Sequence, residues 1–208
     1  GTSAGAAVES RTMINGYRGD LGPVDGLQQD STLVWWGDDT DLERGLEVGS
    51  SAAIFDQHFH QRGRLGRSLS TIATAAERLV RSPVGVGVDY ATGVRVDGDT
   101  LASGVFGDSS VALIDAETLD ATHTWVGSPA TLSARRVLTH LMTEGTTYDL
   151  GSRVFTYRGT ALDAPASAWQ APASPSTVSG TVFLGGGVLG SDVMTDVVAA
   201  ARAVDASK

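Results

Sequence analysis

Residues 50–80 read SSAAIFDQHFHQRGRLGRSLSTIATAAERLV, and this stretch decides the fold. Its apolar start, Ala52 to Phe55, predicts a buried strand. The strand runs into a basic segment carrying Arg62, Arg64 and Arg67, and then into residues whose apolar positions recur at helical spacing. Strand, charged turn and helix in succession form a building unit of α/β proteins. Further on, VGVGVDYATGVRVDGDTLASGVFGDSSVALIDAETL (84–119) alternates β-branched residues with Gly and Asp turns, predicting a strand followed by a small antiparallel meander. Toward the N-terminus, GTSAGAAVESRTMI predicts a helix over about residues 2–14, and the Gly, Pro and Asp content from Asn15 to Val34 predicts a loop. A third helix is expected over SARRVLTHLMTEG (133–145), followed by a polar stretch at 146–155. The expected architecture is α/β: a mostly parallel sheet flanked by helices, with the small meander beside it.

At 208 residues, with 41% hydrophobic and 19% charged residues, the chain has the composition of a globular domain with a sizeable core. The formal charge of −9 argues against nucleic acid as a partner, because phosphate binding needs a basic face. No apolar run reaches the roughly 18 residues of a membrane span, so no membrane role is expected. Cysteine is absent, which removes thiolate nucleophiles and zinc-thiolate sites from consideration. The compartment is not legible. Residues 161–179, rich in Ala, Pro and Ser, read as a linker after a body of residues 1–160. Residues 180–208 then carry a strand, a glycine turn and an amphipathic helix.

Two segments carry chemistry. In Gly-Thr-Ser-Ala-Gly (1–5), small residues around Ser3 allow a sharp turn that exposes the hydroxyl at a helix start. In the stretch from Asp56 to Arg67, an imidazole, a carboxylate, amides and guanidinium groups gather at the end of a strand. Histidine can take a serine proton and return it to a leaving amine, while Arg pairs with carboxylates and Asp or Gln with amines or guanidinium groups. His60 shares a strand face with His58, but no third ligand follows at a recognisable spacing, so no metal is expected. His123 and His140 read as packing or surface residues. The run Gly185 to Gly187 lacks a P-loop ending and reads as a strand-end turn. No cofactor is expected.

The order GTSAGA, DQHFHQRGRLGR, VGVGVD and SARRVLTHLMTEGTTYDLGSRV resembles the cyanophycinase branch of the serine peptidases that also include aspartyl dipeptidases. The resemblance covers roughly residues 1–155, and the DQHF segment with its spaced arginines is its specific part. It implies Ser3 as nucleophile, the Ala4 amide as part of the oxyanion hole and His58 as general base. It also implies that Asp56, Gln57, Arg62 and Arg67 bind substrate, an aspartyl residue linked to arginine. The implied reaction is hydrolysis of the β-linked Asp-Arg polymer cyanophycin, or of related Asp-linked peptides, through an acyl-enzyme.

One position departs from the pattern. The family's third strand ends in a glutamate that orients the histidine, whereas this chain has Tyr90 there, with Asp89 adjacent. Three readings stay open: another carboxylate completes the triad, a Ser-His dyad works more weakly, or the protein is a catalytically silent relative that binds or serves a structural role. Residues 180–208 resemble the start of the same domain type, so the chain order looks cut or permuted at the nucleophile. A second polypeptide or a second copy is then expected to complete the fold.

Overall fold

The computed structural model describes residues 3–37, 43–79, 83–97, 101–120 and 123–161, all within one unit, Gly1–Ala164. The expected linker after Ala161 and the strand, glycine turn and helix of 180–208 lie outside the described residues. In chain order the elements are α1 (Ala4–Ala7), β1 (Met13–Tyr17), a 3-10 turn (Pro23–Asp25), β2 (Thr32–Trp35), β3 (Ala53–Gln57), α2 (Leu65–Arg78), β4 (Val84–Val88), β5 (Thr92–Asp97), β6 (Leu101–Gly107), β7 (Val111–Asp115), α3 (Ala116–Asp120), β8 (Thr124–Val126), β9 (Thr131–Ser133), β10 (Leu138–Met142), β11 (Thr146–Asp149), β12 (Phe155–Tyr157) and β13 (Thr160–Ala161).

The central sheet has the order β10-β7-β4-β3. Only β3 and β4 run parallel, with Ala53 opposite Val84 and Gln57 opposite Val88; β4-β7 and β7-β10 are antiparallel. The α/β class therefore holds, but among the described residues the sheet is mixed rather than mostly parallel. The meander is larger than expected: β5 and β6 join β11, β12 and β13 in a five-stranded antiparallel sheet.

Period-two patterning sorts the central strands between two apolar layers. Ala53 and Phe55 of β3, Val84 and Val86 of β4, and Val111 and Leu113 of β7 pack with Val105 and Tyr148 of the antiparallel sheet and with Leu150 just past β11. Ile54 faces Ala75 of α2, while Ala112 and Ile114 join Ile72 and Ala73 of α2 and Leu119 of α3. The glycines of VGVGV make that second layer close. A Cβ at Gly85 would stand 2.3 Å from Ile72 Cδ1, and one at Gly87 would stand 2.3 Å from the Phe59 ring. Phe59 fills the space Gly87 leaves and is almost wholly buried, which pins the turn after β3 to the sheet.

Three expectations fail locally. The helix expected over 2–14 stops at Ala7, and residues 13–17 form a strand instead. Ser10 ends it: the buried hydroxyl donates to Ala7 O and accepts from Phe55 N–H, tying the chain to the edge of β3. The expected loop at 15–34 is the hairpin β1-β2 with its connection, bulged between Ile14 and Gly16. The helix expected over 133–145 is largely β10, whose residues alternate, with Met142 fully buried and Thr139 and Leu141 exposed. Small and straight-chain residues satisfied helix propensity there, but the free edge of β7 won the segment.

Candidate active site

Ser3 precedes the single turn of α1 with φ 52° and ψ −124°, a strained conformation for a residue with a side chain. Such geometry lifts a hydroxyl out of a sharp turn, and the small residues Ala4, Gly5 and Ala6 leave it exposed. The Ala4 N–H is the first amide of that turn, a position with no intrahelical acceptor.

His58 sits just past the end of β3, also at positive φ (48°), in a turn closed by Arg62 N–H donating to His58 O at 3.0 Å. Its Nε2 lies 3.0 Å from Ser3 Oγ. Its Nδ1 lies 2.9 Å from Gln61 Oε1. The Tyr90 ring stacks on the imidazole at 5.7 Å between centroids and 22° between planes. Ser3 and His58, 55 residues apart in sequence, are thus brought within hydrogen-bonding distance by the docking of α1 beside β3.

Asp89 does not reach His58. Its Oδ1 accepts from the His60 N–H at 2.9 Å and the Gln61 N–H at 3.0 Å, and its Oδ2 accepts from Ser109 Oγ–H at 2.8 Å. Burial alone would push this carboxyl up; the hydrogen bonds from Gln61, Ser109, Tyr90 and His60 outweigh it and hold Asp89 below the ordinary carboxylate value. His60 turns away from His58, its Nε2 3.2 Å from Ser110 Oγ. Among the described residues no group of three or more His, Cys, Asp or Glu forms a metal-binding cluster, and no helix is long and apolar enough to cross a membrane.

A cavity of about 600 Å³ opens beside Ser3 and His58, walled by Gln57, Val88, Thr92 and Val94, with Tyr90 and Phe106 among its lining. Glu9 and Asp89 also line it, and among the described residues no Lys or Arg does. Gln57 Oε1 is buried and has no hydrogen-bond partner among the described residues.

The other residues expected at the substrate lie elsewhere. Asp56 is 1% exposed and is held by a bidentate pair with Arg67, by Ser68 Oγ–H at 3.1 Å and by Arg64 at 3.5 Å. Arg64 Nη1 also donates to Gln57 O at 2.5 Å, and the Arg67 guanidinium lies over the Tyr17 ring at 5.1 Å. Asp56 and Arg67 therefore form an internal clamp between β3 and α2 rather than part of the cavity wall. Arg62 is exposed and is not among the cavity's lining residues. Gln61 is the site residue that the sequence did not single out. Its signal was its position three residues after His58, but an amide with that spacing is common in turns and matches no catalytic motif.

No protein-family model matches the chain. Curated relatives do. A cyanophycinase of Trichormus variabilis is 33% identical over 156 residues, 74% of this chain and 45% of that protein. Cyanophycinases of Geminocystis herdmanii and Synechococcus elongatus are 31% identical over 150 residues and 33% identical over 153 residues, each covering 72% of this chain and 48% and 41% of those proteins. The chain spans less than half the length of these relatives. Over the aligned residues, the chain belongs to the cyanophycinase-like family.

Proposed function

We propose that the chain carries the nucleophile and general base of a serine-type peptidase acting on Asp-linked peptides, such as the β-Asp-Arg polymer cyanophycin. The observation that carries the reading is Ser3 Oγ at 3.0 Å from His58 Nε2, with Ser3 on a strained turn before a helix. In the reaction, Ser3 Oγ attacks the scissile carbonyl carbon while its proton passes to His58 Nε2. The carbonyl π pair moves onto oxygen, which accepts from the Ala4 N–H. Collapse breaks the C–N bond as Nε2 returns the proton to the leaving amine. Water then attacks the acyl-enzyme with His58 again as base, releasing the acid and free Ser3.

The substrate class rests on the cavity as well as on the relatives' names. A buried Gln57 carbonyl with no donor among the described residues favours a group rich in N–H bonds such as a guanidinium. Hydrolysis of a β-Asp-Arg peptide, followed by release of the dipeptide, tests the reading. Ser3→Ala is expected to lower turnover by at least about 10³-fold; unchanged turnover in that variant contradicts the assignment.

A second reading, a catalytically silent relative that binds such peptides, is favoured by Tyr90 in place of the family acid. Tyr90→Glu separates the two. On a working site, where His58 Nδ1 is already partnered, the change is expected to stay within a few-fold; a gain of two or more orders of magnitude supports the degenerate site. We further propose that a second polypeptide or a second copy of the domain supplies the part of the fold that the relatives have beyond the aligned residues. Native mass spectrometry tests this on protein that hydrolyses the peptide, and a lone, fully active chain contradicts it.

A further inference from the structure

We infer that Gln61 takes over the orienting part of the triad acid, and that Asp89 acts one step further out by fixing Gln61. This rests on the peptidase reading for its kinetic consequences but not for its geometry.

A carbonyl oxygen only accepts hydrogen bonds, so the 2.9 Å contact between Gln61 Oε1 and His58 Nδ1 puts the imidazole proton on Nδ1. Nε2 is then the free lone pair, and it faces the Ser3 hydroxyl at 3.0 Å. That is the tautomer a general base toward Ser3 requires. Tyr90 cannot supply it, because its ring lies nearly parallel to the imidazole, at 22°, and contacts the face rather than Nδ1.

Gln61 is itself exposed, and a free glutamine would sample many rotamers. Its backbone is held by Asp89, which accepts the Gln61 and His60 amide protons through one oxygen and is anchored by Ser109 through the other. Asp89 ends the strand side of the cavity immediately after β4, so the turn that carries His58 and Gln61 is tied to the central sheet at that point. The family's acid position is thus bypassed: the carboxylate next to it holds the turn, and an amide from the turn holds the ring. A neutral amide sets the tautomer without a counter-charge for the imidazolium that forms during catalysis. The assignment therefore gives an oriented but electrostatically weaker base than a full triad, and Gln61→Glu supplies the missing charge.

The experiment compares the whole chain with Gln61→Ala, Gln61→Glu and Asp89→Ala in two arms. In the first, long-range ¹H–¹⁵N NMR reads the His58 tautomer, with His58→Gln identifying the signal. The wild type is expected to be protonated on Nδ1, and Gln61→Ala to shift protonation toward Nε2. In the second, kinetics on the β-Asp-Arg peptide are expected to show kcat about 10²-fold lower in Gln61→Ala with little change in KM. Gln61→Glu should restore or exceed wild-type kcat and move the acid limb of its pH profile to higher pH. Asp89→Ala should lower kcat in the same sense as Gln61→Ala, with less effect when combined with it. A His58 that stays protonated on Nδ1 in Gln61→Ala, or a kcat indifferent to position 61 in an active wild type, overturns the inference. If the wild type fails to hydrolyse the peptide, the substrate reading falls while the NMR arm still decides the role of Gln61.

Discussion

Ser3 and His58 were legible as candidates because their neighbours have few other uses: small residues around a serine, and a crowd of polar groups at a strand end. The third contact was not legible. Sequence reasoning looks for a carboxylate at the acid position and finds Tyr90, which stacks on the ring, while the amide that meets Nδ1 comes from the turn itself. The distinction between Asp89 and Tyr90 as strand neighbours was readable, since adjacent residues point to opposite sides. That Asp89 would spend its oxygens on backbone amides was not. Another histidine shows how burial sets titration. His140 in β10 stacks on Phe155 at 4.9 Å, its Nε2 is buried without a partner among the described residues, and loss of solvation lowers its pKa more than the Asp115 carboxylate raises it. Above the unfolded value of roughly 6.5, His140 is neutral in both states and contributes no pH dependence. As pH falls below that value, the unfolded chain takes up a proton that the folded chain refuses, so stability drops until the depressed folded value is reached. His140→Phe is expected to flatten the fall in Tm between pH 7 and pH 5; an unchanged slope contradicts the burial argument.

At the scale of elements, β3, α2 and β4 were readable because each has an unbroken period, and because the glycines of VGVGV sit on the face that α2 and Phe59 press against. The segments misread as helix, 8–14 and 133–145, are those where propensity and tertiary pairing disagree, with Ser10 bonding to Ala7 O and to Phe55 N–H in one case and the β7 edge taking the chain in the other. The resemblance implies Arg62 and Arg67 as substrate ligands, yet Arg67, together with Arg64, is paired with Asp56 at the junction of β3 and α2. Asp56 and Arg67 are both nearly inaccessible, so each is tolerable only with its partner. Arg67→Leu leaves a buried carboxylate without its bidentate partner, held by Arg64, Ser68 and the Gln57 N–H, and a loss of about 3–5 kcal/mol is expected by urea denaturation. A loss under about 1 kcal/mol would mean the clamp is not structural and would return Arg67 to consideration as a ligand.

On the scale of the whole molecule, a mixed sheet carries the candidate site at one end, where the turn after β3, the turn after β4 and the strained residue before α1 converge on a cavity of about 600 Å³. The acidic composition, −9 overall, agrees in sign with a cavity that presents Glu9 and Asp89. The α/β class followed from the strand-to-helix transition at 50–80. The mixed pairing did not, because a run such as VALID is equally apolar whether its neighbour runs parallel or antiparallel. The central claim is that His58 activates Ser3. The most direct measurement treats the whole chain with a serine-reactive fluorophosphonate and locates the adduct by peptide mass spectrometry. One adduct on Ser3, lost in His58→Ala while the fold is retained, is the expected result. An unmodified Ser3 in folded protein, or labelling that survives the loss of His58, would contradict it.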